Sequence, residues 1–533
     1  MRQERWLVTG SCGQLGGHVT RLLRDRDVTV LGLSHRPCPG SHGEVRVVDV
    51  CDSARLTDVL DSFQPTHIVH LAAVSSPVAA ERDQERAWAL NLTVPRQLAR
   101  TGAWLFYPST DFVWDGTKNG RYRDTDVPKP RSVYGEMKHA GERVAGQSGL
   151  VARLSLLHGL PVCPRATTWT RWHENLSQGK EITVCADEFR TPLELSEAAK
   201  AIVDLGRKNV RGVIHLAGPD VLTPRDMACR LASSLNVKPK LRTVSRLDLP
   251  GGKARPRNVA MAPTVMFGVV IPAYNGAHCL HRSMISLARQ RFDGKLRVVV
   301  AVNDGREDTA EEARRLAPVI RATGAECSVV VSSPKRANAF AAAEAELPEG
   351  PRLYLDQDAV LSPNAIAELA RILRPGTGIH FAAPRPRAVR PHSVVSRAFY
   401  RAWQDLPYVK ESPVTMGAYA VSAEGRRRWD EFPDVHSDDK WVRWHFASHE
   451  RAVLRDGTYE VVLPEGVKEL VRARRRYQCG NRELQSHDLE YADDDRRHRG
   501  VVRSLVSRPT RWPCSAVFLG VYSAAAVLDR YTE

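Results

Sequence analysis

The chain has 533 residues, of which 43% are hydrophobic and 26% charged, and its formal net charge at pH 7 is +16. The length excludes a single hydrophobic core and predicts two domains, and the composition excludes a disordered chain. The arginines are spread without a nucleic-acid-binding motif, so we expect no nucleic acid partner, and ten scattered cysteines predict reduced thiols in a cytoplasmic protein.

The first half alternates predicted strands and helices. A buried strand at residues 5–9 leads into a GxxGxxG turn and a helix, and no signal peptide is expected before it. Further strands are predicted at 28–34, 45–50, 67–73 and 103–110. This rhythm predicts an α/β fold with a parallel sheet, and the glycines predict a Rossmann fold that binds the pyrophosphate of NAD(P) at a helix N-terminus.

The segment after the second strand bears on the choice of cofactor. In many such folds an acid at this position holds the ribose of NAD. Here the sequence is Ser34-His35-Arg36. Because an arginine pairs better with a 2′-phosphate, we expect NADPH rather than NADH, and we place Arg36 and Asp49 among the cofactor-binding residues.

A YxxxK motif supplies candidate reaction chemistry. Tyr134 and Lys138 are spaced to lie on one face of a helix, and Thr110 ends a predicted strand. A neighbouring ammonium is expected to lower the pKa of the Tyr134 phenol, which would then give its proton to a carbonyl oxygen that receives a hydride. Thr110 would orient that carbonyl.

Four motifs in order give these residues a context: TGSCGQLGG, STDFVWDG, VYGEMK and DEFRTP. Together they resemble the extended short-chain dehydrogenase/reductases, and most closely the dTDP-4-dehydrorhamnose reductases. The resemblance implies reduction of a 4-keto group on a nucleotide-linked deoxysugar, with Thr110, Tyr134 and Lys138 as catalytic residues. It implies that the cofactor is held by Gly10, Gly13, Gln14, Leu15 and Gly16.

Two features qualify this resemblance. Residues 74–83, VSSPVAAERD, lack the aspartate of the family's acidic loop, which removes support for a magnesium site or dimer contact there. The family also includes regulatory members without catalytic activity. The alternative to a reductase is therefore a non-catalytic NAD(P)-binding module.

The second half begins a new alternation of strands and helices without the dinucleotide glycines. Its polar residues follow predicted strands, where open α/β sheets bind ligands. Asp356 and Asp358 form a D-x-D motif. Two such carboxylates repel each other unless a divalent cation or a ribose lies between them, and a bound Mg²⁺ or Mn²⁺ would neutralise a diphosphate leaving group.

The ordered segments VVIPAYN, VNDGREDT, PKRANAF, YLDQDAVLSPNAI and HSDDKWVRWHF resemble family 2 glycosyltransferases of the GT-A fold. The resemblance implies inverting transfer from an NDP-sugar to a glycan, lipid-linked or small-molecule acceptor. Asp439 would be the general base, with Asp438 as its competitor, and Asp358 would bind the metal. The nucleotide sugar would be held by Pro272, Ala273, Tyr274, Asp304, Lys335 and Asp356.

The end of the chain is basic and then apolar. Six arginines within 496–511 precede the apolar run 512–528. A helix packed on the protein and a peripheral anchor at the inner face of a membrane both fit this pattern, and a transmembrane helix fits it less well. We therefore predict a reductase domain at 1–263, a glycosyltransferase domain at 264–495 and a tail at 496–533.

Overall fold

The computed structural model describes residues 3–26, 28–38, 43–252, 255–303, 307–406, 409, 417–484, 487, 489, 505 and 509–530. The chain forms two compact units, Met1–Thr264 and Val265–Glu533.

The first unit is built on a seven-stranded parallel sheet with the strand order β10-β6-β5-β4-β1-β2-β3. Its strands are short and apolar, and β1 is buried along almost its whole length. Two further strand pairs, β7-β9 and β8-β11, lie outside this sheet. The prediction of a Rossmann-like α/β fold is confirmed for this unit. The strands are β1 Arg5–Thr9, β2 Thr29–Ser34, β3 Glu44–Val47, β4 His67–His70, β5 Trp104–Thr110, β6 Gly149–Leu154, β7 Leu157–His158, β8 Ile182–Cys185, β9 Leu193–Glu194, β10 Gly212–Leu216 and β11 Leu241–Val244.

Helix termini in this unit follow local capping chemistry. Helix α6 begins after Ser132, whose hydroxyl accepts a hydrogen bond from the backbone N–H of Gly135 at 3.1 Å. A π-helical turn, Ala89–Thr93, joins α4 to α5. The helices are α1 Gln14–Arg24, α2 Ser53–Phe63, α3 Pro77–Arg82, α4 Gln84–Trp88, α5 Val94–Ala99, α6 Val133–Ala145, α7 Thr168–Ser177, α8 Leu195–Arg207 and α9 Pro224–Ser234.

The second unit contains a mixed eight-stranded sheet with the order β14-β13-β12-β15-β18-β17-β19-β16. The first four strands in this order are parallel, and β18 pairs with β15 antiparallel. The unit is therefore α/β and rich in sheet. Its strands are β12 Met266–Ala273, β13 Lys295–Val302, β14 Glu326–Val331, β15 Arg352–Leu355, β16 Val360–Leu361, β17 Phe381–Ala388, β18 Ala418–Val421 and β19 Arg451–Val461.

The last helix of the second unit packs on two other helices. Phe518, Val521 and Ala525 of α18 are buried in apolar clusters with residues of α14 and α17. Among the described residues, no helix is both long and apolar enough to cross a membrane. The helices are α10 Leu280–Ala288, α11 Glu307–Arg321, α12 Arg336–Glu346, α13 Ala365–Ile372, α14 Val394–Trp403, α15 Ala423–Arg426, α16 Asp438–Arg443, α17 Gly466–Glu483 and α18 Trp512–Arg530.

Candidate active sites

The glycine turn of the first unit leaves no space for side chains. Gly10 has a φ of +66°, and a Cβ there would lie 2.7 Å from the backbone nitrogen of Ala72. A Cβ on Gly16 would collide with the carbonyl oxygen of Gly10. Gly13 is the N-cap of α1, Gln14 is its first residue and Leu15 is buried. The turn therefore brings bare backbone to a helix N-terminus, which suits a pyrophosphate.

The other two predicted cofactor residues differ in their surroundings. Arg36 is exposed just beyond β2. Asp49 accepts a hydrogen bond from the guanidinium of Arg86 at 3.1 Å and another from the N–H of Cys51, and these contacts lower the pKa of its carboxyl despite partial burial. Arg36 is thus open to a ligand phosphate, whereas Asp49 is engaged in a local ion pair.

Thr110 and Tyr134 meet at the carboxyl end of β5. Both are buried, and the Thr110 hydroxyl acts to lower the pKa of the Tyr134 phenol. Lys138, one helical turn further along α6, is also buried, but its Nζ donates to the carbonyl oxygen of Pro108 at 2.8 Å. The structure therefore brings Thr110 and Tyr134 together and anchors Lys138 beside them on the strand backbone.

The pKa values of Tyr134 and Lys138 differ from what the sequence led us to expect. Burial and the charge of Asp111 raise the pKa of Tyr134, and the Thr110 hydroxyl and the charge of Arg190 oppose the rise only in part. Burial lowers the pKa of Lys138 to about 7, against the attraction of Glu142. The expected lowering of the phenol pKa by Lys138 is therefore wrong for this arrangement, because desolvation dominates both groups.

Buried charges surround these residues, and sequence reasoning missed them. The Asp111 carboxylate accepts hydrogen bonds from Arg190 at 2.6 Å and from the hydroxyl of Ser155 at 3.1 Å. Arg190 also pairs with Glu188, which in turn pairs with Arg255. Asp111 and Arg190 lie in the segments STDFVWDG and DEFRTP, so the signal was present in the motifs, but only the fold pairs the two charges.

The D-x-D of the second unit follows the carboxyl end of β15. The side chain of Gln357, the middle residue, bonds both the N–H and the carbonyl oxygen of Tyr274, which is exposed at the end of β12. Asp358 is exposed, yet crowding by protein atoms and the charge of Asp356 raise the pKa of its carboxyl. The motif is thus tied to the VVIPAYN loop, as strands that share one sheet edge require.

Arg336 joins two of the acidic residues. Its guanidinium lies 2.6 Å from Asp356 Oδ1 and 3.0 Å from Asp438 Oδ1. The Tyr419 hydroxyl donates to Asp438 Oδ2 at 3.1 Å. Burial raises the pKa of Asp438 to about 6, with Arg336 opposing the rise and Asp439 and Asp356 adding to it. Asp438 is buried in this cluster, whereas Asp439 is half-buried.

The remaining predicted residues of this unit are more dispersed. Pro272 and Ala273 are buried at the end of β12. Lys335 has a φ of +104° at the start of α12 and its Nζ lies 2.9 Å from Asp434. Asp304 lies outside the described residues. No group of three or more His, Cys, Asp or Glu within the described part of the chain is arranged to hold a metal ion.

Comparison with known proteins adds to this geometry. A reductase for low-salt glycan biosynthesis from Haloferax volcanii, described as probable and named Agl14, is 30% identical over 47% of this chain and 87% of its own. Methionine adenosyltransferase 2 subunit beta from Danio rerio is 30% identical over 48% of this chain and 82% of its own length. The dTDP-4-keto-6-deoxy-D-glucose reductase of Streptomyces niveus is 30% identical over 48% of this chain and 87% of its own length.

A family model described as the RmlD substrate binding domain matches residues 4–275. That range is slightly more than half of the 533 residues. It contains the glycine turn, the Thr110–Tyr134 pair and the buried charges around Asp111. The protein therefore belongs to the RmlD substrate binding domain family.

Proposed function

We propose that the first unit reduces the 4-keto group of a nucleotide-linked deoxysugar with NADPH. The observation that carries this proposal is the buried Tyr134 phenol, whose pKa responds to the Thr110 hydroxyl at the carboxyl end of β5. The glycine turn after β1 lies at the same edge of the parallel sheet. Similarity to a dTDP-4-keto-6-deoxy-D-glucose reductase supports the substrate class.

The side chains of this site fit a reduction. NADPH, when bound, supplies the hydride. The bare glycine turn fits its pyrophosphate, and Arg36 fits a 2′-phosphate. The raised pKa of Tyr134 keeps the phenol protonated at neutral pH, so it can donate its proton to the substrate oxygen. Thr110 would orient the same oxygen, while Lys138 is fixed by the Pro108 carbonyl.

A turnover assay tests this proposal. The full chain is incubated with NADPH and a panel of NDP-4-keto-6-deoxyhexoses, and products are identified by mass spectrometry. We expect Tyr134→Phe to slow reduction about 10²–10⁴-fold, the range of general acid catalysis, and Tyr477→Phe in the second unit to leave it unchanged. Equal rates in the two variants would remove the proposed role of Tyr134.

A second candidate function is a regulatory module. It is favoured by similarity to methionine adenosyltransferase 2 subunit beta, whose name describes a subunit and not a reductase. This candidate predicts that NADPH binds to the first unit without being consumed. Binding of NADPH in a fluorescence titration, with no turnover of any substrate on the panel, would select it.

We further propose that the second unit transfers a sugar from an NDP-sugar, with inversion, to a glycan, lipid-linked or small-molecule acceptor. The cluster of Asp356, Asp358 and Asp438 around Arg336 supports this proposal. Asp358 would bind Mg²⁺ or Mn²⁺, because a cation would offset the burial and the repulsion from Asp356 that together raise the pKa of its carboxyl. Asp356, Tyr274 and Lys335 would hold the nucleotide sugar.

The general base of this transfer has two candidates. The sequence resemblance assigns Asp439, whereas burial, the Tyr419 hydrogen bond and a pKa raised to about 6 favour Asp438. Release of nucleoside diphosphate is measured for Asp438→Asn and Asp439→Asn with a panel of donors and acceptors. The base is the residue whose variant loses about 10²-fold or more in activity.

Asp358→Ala is expected to stop transfer and spare reduction, and loss of neither activity would remove the assigned metal role.

We also propose that α18 contacts an anionic membrane surface. Trp512, Leu519 and Val527 of this helix are about half exposed. The adjoining helix α17 carries six basic and two acidic residues. Apolar and basic groups together favour an interfacial helix.

We expect the chain to sediment with phosphatidylglycerol vesicles and not with phosphatidylcholine vesicles. Trp512→Ser should weaken this binding and Val127→Ser in the first unit should not, and equal sedimentation of these two variants would remove the contact.

A further inference from the structure

The last residues of two neighbouring strands, β1 and β4, are joined by a buried side-chain hydrogen bond. Thr9 ends β1, His70 ends β4, and both are at most 1% exposed. Thr9 Oγ1 lies 2.8 Å from His70 Nδ1, and His70 Nε2 lies 2.9 Å from the carbonyl oxygen of Leu90. Both ring nitrogens are therefore paired inside the first unit, which fixes the orientation of the imidazole.

The proton positions in this pair follow from the Leu90 contact. A carbonyl oxygen only accepts, so Nε2 carries the ring proton and Nδ1 is the acceptor of a neutral imidazole. Burial acts in the same direction, because it lowers the pKa of His70 to about 4 and keeps the ring neutral. Thr9 therefore donates its one hydroxyl proton to His70, and its two lone pairs are left for other donors.

Those donors are two backbone N–H groups in the segment that leaves β4. The N–H of Leu71 reaches Thr9 Oγ1 at 3.1 Å, and the N–H of Ala72 reaches it at 3.2 Å. The glycine turn packs on the same backbone, since a Cβ on Gly10 would lie 2.7 Å from the nitrogen of Ala72 and 2.8 Å from the carbonyl carbon of Leu71. The Thr9 hydroxyl thus sets the separation between the glycine turn and the segment after β4.

This contact lies where the fold places a ligand. The strand order β4-β1-β2-β3 means that the chain runs outwards from β1 to β3 and then returns to the other side of β1 as β4. The carboxyl ends of β1 and β4 therefore border the switch point of the sheet, and open α/β sheets bind their ligands in the crevice at that point.

We propose that Thr9 and His70 are a positioning pair that fixes one wall of the crevice for the NADPH pyrophosphate. His70 takes the hydroxyl proton, so the Thr9 oxygen is left to hold residues 71–72 beside the glycine turn. Both side chains are buried and act through the backbone. The inference rests on the NADPH binding in the proposed function.

The opposite edge of the same two strands carries a matched contact. There Thr66 Oγ1 lies 2.8 Å from His67 Nδ1 and accepts from the N–H of Arg5 at 2.9 Å. This is again a threonine–histidine contact across β1 and β4, but it lies at their amino ends, away from the glycine turn. A purely structural role predicts similar consequences when either hydroxyl is lost, whereas a positioning role predicts that only Thr9 affects NADPH.

The test compares the loss of these two hydroxyls in the full chain. NADPH binding is titrated by fluorescence in the parent chain, Thr9→Val, Thr9→Ser and Thr66→Val. We expect Thr9→Val to raise the Kd for NADPH about tenfold, the order expected for one lost buried hydrogen bond. Thr9→Ser, which keeps the hydroxyl, should restore most of the affinity, and Thr66→Val should leave the Kd unchanged. A Thr9→Val variant that binds like the parent chain, or an equal rise in Thr66→Val, would overturn the proposal.

The histidine supplies a second variant, which also serves if Thr9→Val does not fold. His70→Leu keeps the Thr9 hydroxyl but removes the acceptor of its proton, and the Kd for NADPH should again rise about tenfold. Because the two residues act as a unit, Thr9→Val/His70→Leu should bind NADPH no more weakly than Thr9→Val alone. Additive losses in the double variant would overturn the pairing.

Hydrogen exchange gives a readout on the chain without NADPH. Exchange at residues 71–76 should be faster in Thr9→Val and in His70→Leu than in the parent chain, and should not change in Thr66→Val. Equal exchange in all four chains would contradict the role of the Thr9 oxygen in holding this segment.

The proposed reduction fails by a different result. A parent chain that binds NADPH and reduces no substrate loses the reductase function, while the Kd values of the variants still decide the positioning pair. A parent chain that binds no NADPH would overturn both proposals.

Discussion

The two units place their candidate sites at the carboxyl ends of parallel strands, but they hold the side chains differently. In the first unit Thr110, Tyr134 and Lys138 are at most 6% exposed. In the second unit the side chains of Arg336 and Asp356 are 39% and 33% exposed. The first site is set by burial and hydrogen bonds, whereas the second is set by ion pairs of Arg336 with the half-exposed Asp356 and the buried Asp438.

This difference determines what should disturb each site. A buried site depends on backbone shape and on the pairing of desolvated charges, so a change in shape or pairing costs folding energy there. A half-exposed ion pair contributes little to stability and is screened by salt. Changes in the second site should therefore alter its chemistry with less effect on the fold.

The largest effect is expected when a methyl group is added to the glycine turn. Gly16→Ala puts a Cβ against the carbonyl oxygen of Gly10. We expect a loss of about 3 kcal/mol or more in the stability of the first unit, and loss of NADPH binding, since overpacked backbone cannot relax freely. Hydrogen exchange of peptides within 5–24 and a fluorescence titration with NADPH measure these effects.

Gly520 is the matched helical glycine of the second unit. A Cβ there meets nothing within 4 Å. Gly520→Ala should stabilise its helix by about 0.5–1 kcal/mol, because alanine loses less backbone entropy. Unchanged hydrogen exchange in Gly16→Ala would contradict the contrast between the two glycines. So would a loss of stability in Gly520→Ala as large as that in Gly16→Ala.

The second prediction concerns the buried pair of Glu142 and Arg153. Arg153 donates to both carboxylate oxygens of Glu142 at 2.9 Å, which holds the pKa of Glu142 down at about 2. Glu142→Gln leaves Arg153 buried without its counter-charge and should cost about 3–5 kcal/mol. Hydrogen exchange across residues 133–154 measures the loss. The control, Glu136→Gln, changes an exposed residue of the same helix and should change little.

The sign of the pH dependence follows from the lowered pKa. The contribution of Glu142 is fully present above pH 4.5, its ordinary value, and is lost as the pH falls through about 2. Protection of this segment should fall over that window in the parent chain. Glu142→Gln should show a flatter pH profile, and a profile as steep as that of the parent chain would contradict the assignment.

The sequence predicted those parts of the first site that depend on local spacing. The GxxGxxG turn, the strand before it and the common face of Tyr134 and Lys138 all follow from short-range patterns. The partner of Lys138 did not follow, because Pro108 is 30 residues away and offers only a carbonyl. The Asp111–Arg190 pair spans 79 residues, so only the folded sheet brings the two charges together.

The second unit shows the same limit. D-x-D after a short apolar strand was predicted, and the structure places it at the end of β15. Its contact with Arg336 could not be foreseen, because Arg336 begins a helix that precedes the strand and its orientation depends on packing. The choice between Asp438 and Asp439 as general base depends on which carboxylate the helix buries. The spacing of the two residues in the sequence does not determine this.

A smaller effect is expected from the buried lysine of the first site. Burial lowers the pKa of Lys138 from 10.5 to about 7, and its ammonium donates to a carbonyl rather than to a carboxylate. Lys138→Met should therefore stabilise the first unit by on the order of 2 kcal/mol while it reduces activity. The gain is fully present below pH 7 and shrinks as the pH rises towards 10.5, because the unfolded chain keeps the proton longer.

Hydrogen exchange at several pH values measures this gain, and Lys180→Met, at an exposed lysine, is the control that should show none. A destabilised Lys138→Met variant would mean that the Pro108 contact outweighs the cost of burying the ammonium. The first site would then owe more to its hydrogen bonds than to the packing around them.

The smallest effect is expected in the pH dependence of nucleoside diphosphate release by the second unit, as a fall in rate on the acid side. Because the pKa of Asp438 is raised to about 6, this carboxyl is protonated and cannot act as a base at lower pH. Nucleoside diphosphate release should fall about tenfold per pH unit below 6, and the fold should persist because Asp438 is neutral and still bonded to Tyr419 there. Asp439→Asn should keep this limb and Asp438→Asn should remove it together with most of the activity. A limb that disappears in Asp439→Asn instead would assign the base to Asp439, and would show that burial in the Arg336 cluster serves structure and not proton transfer.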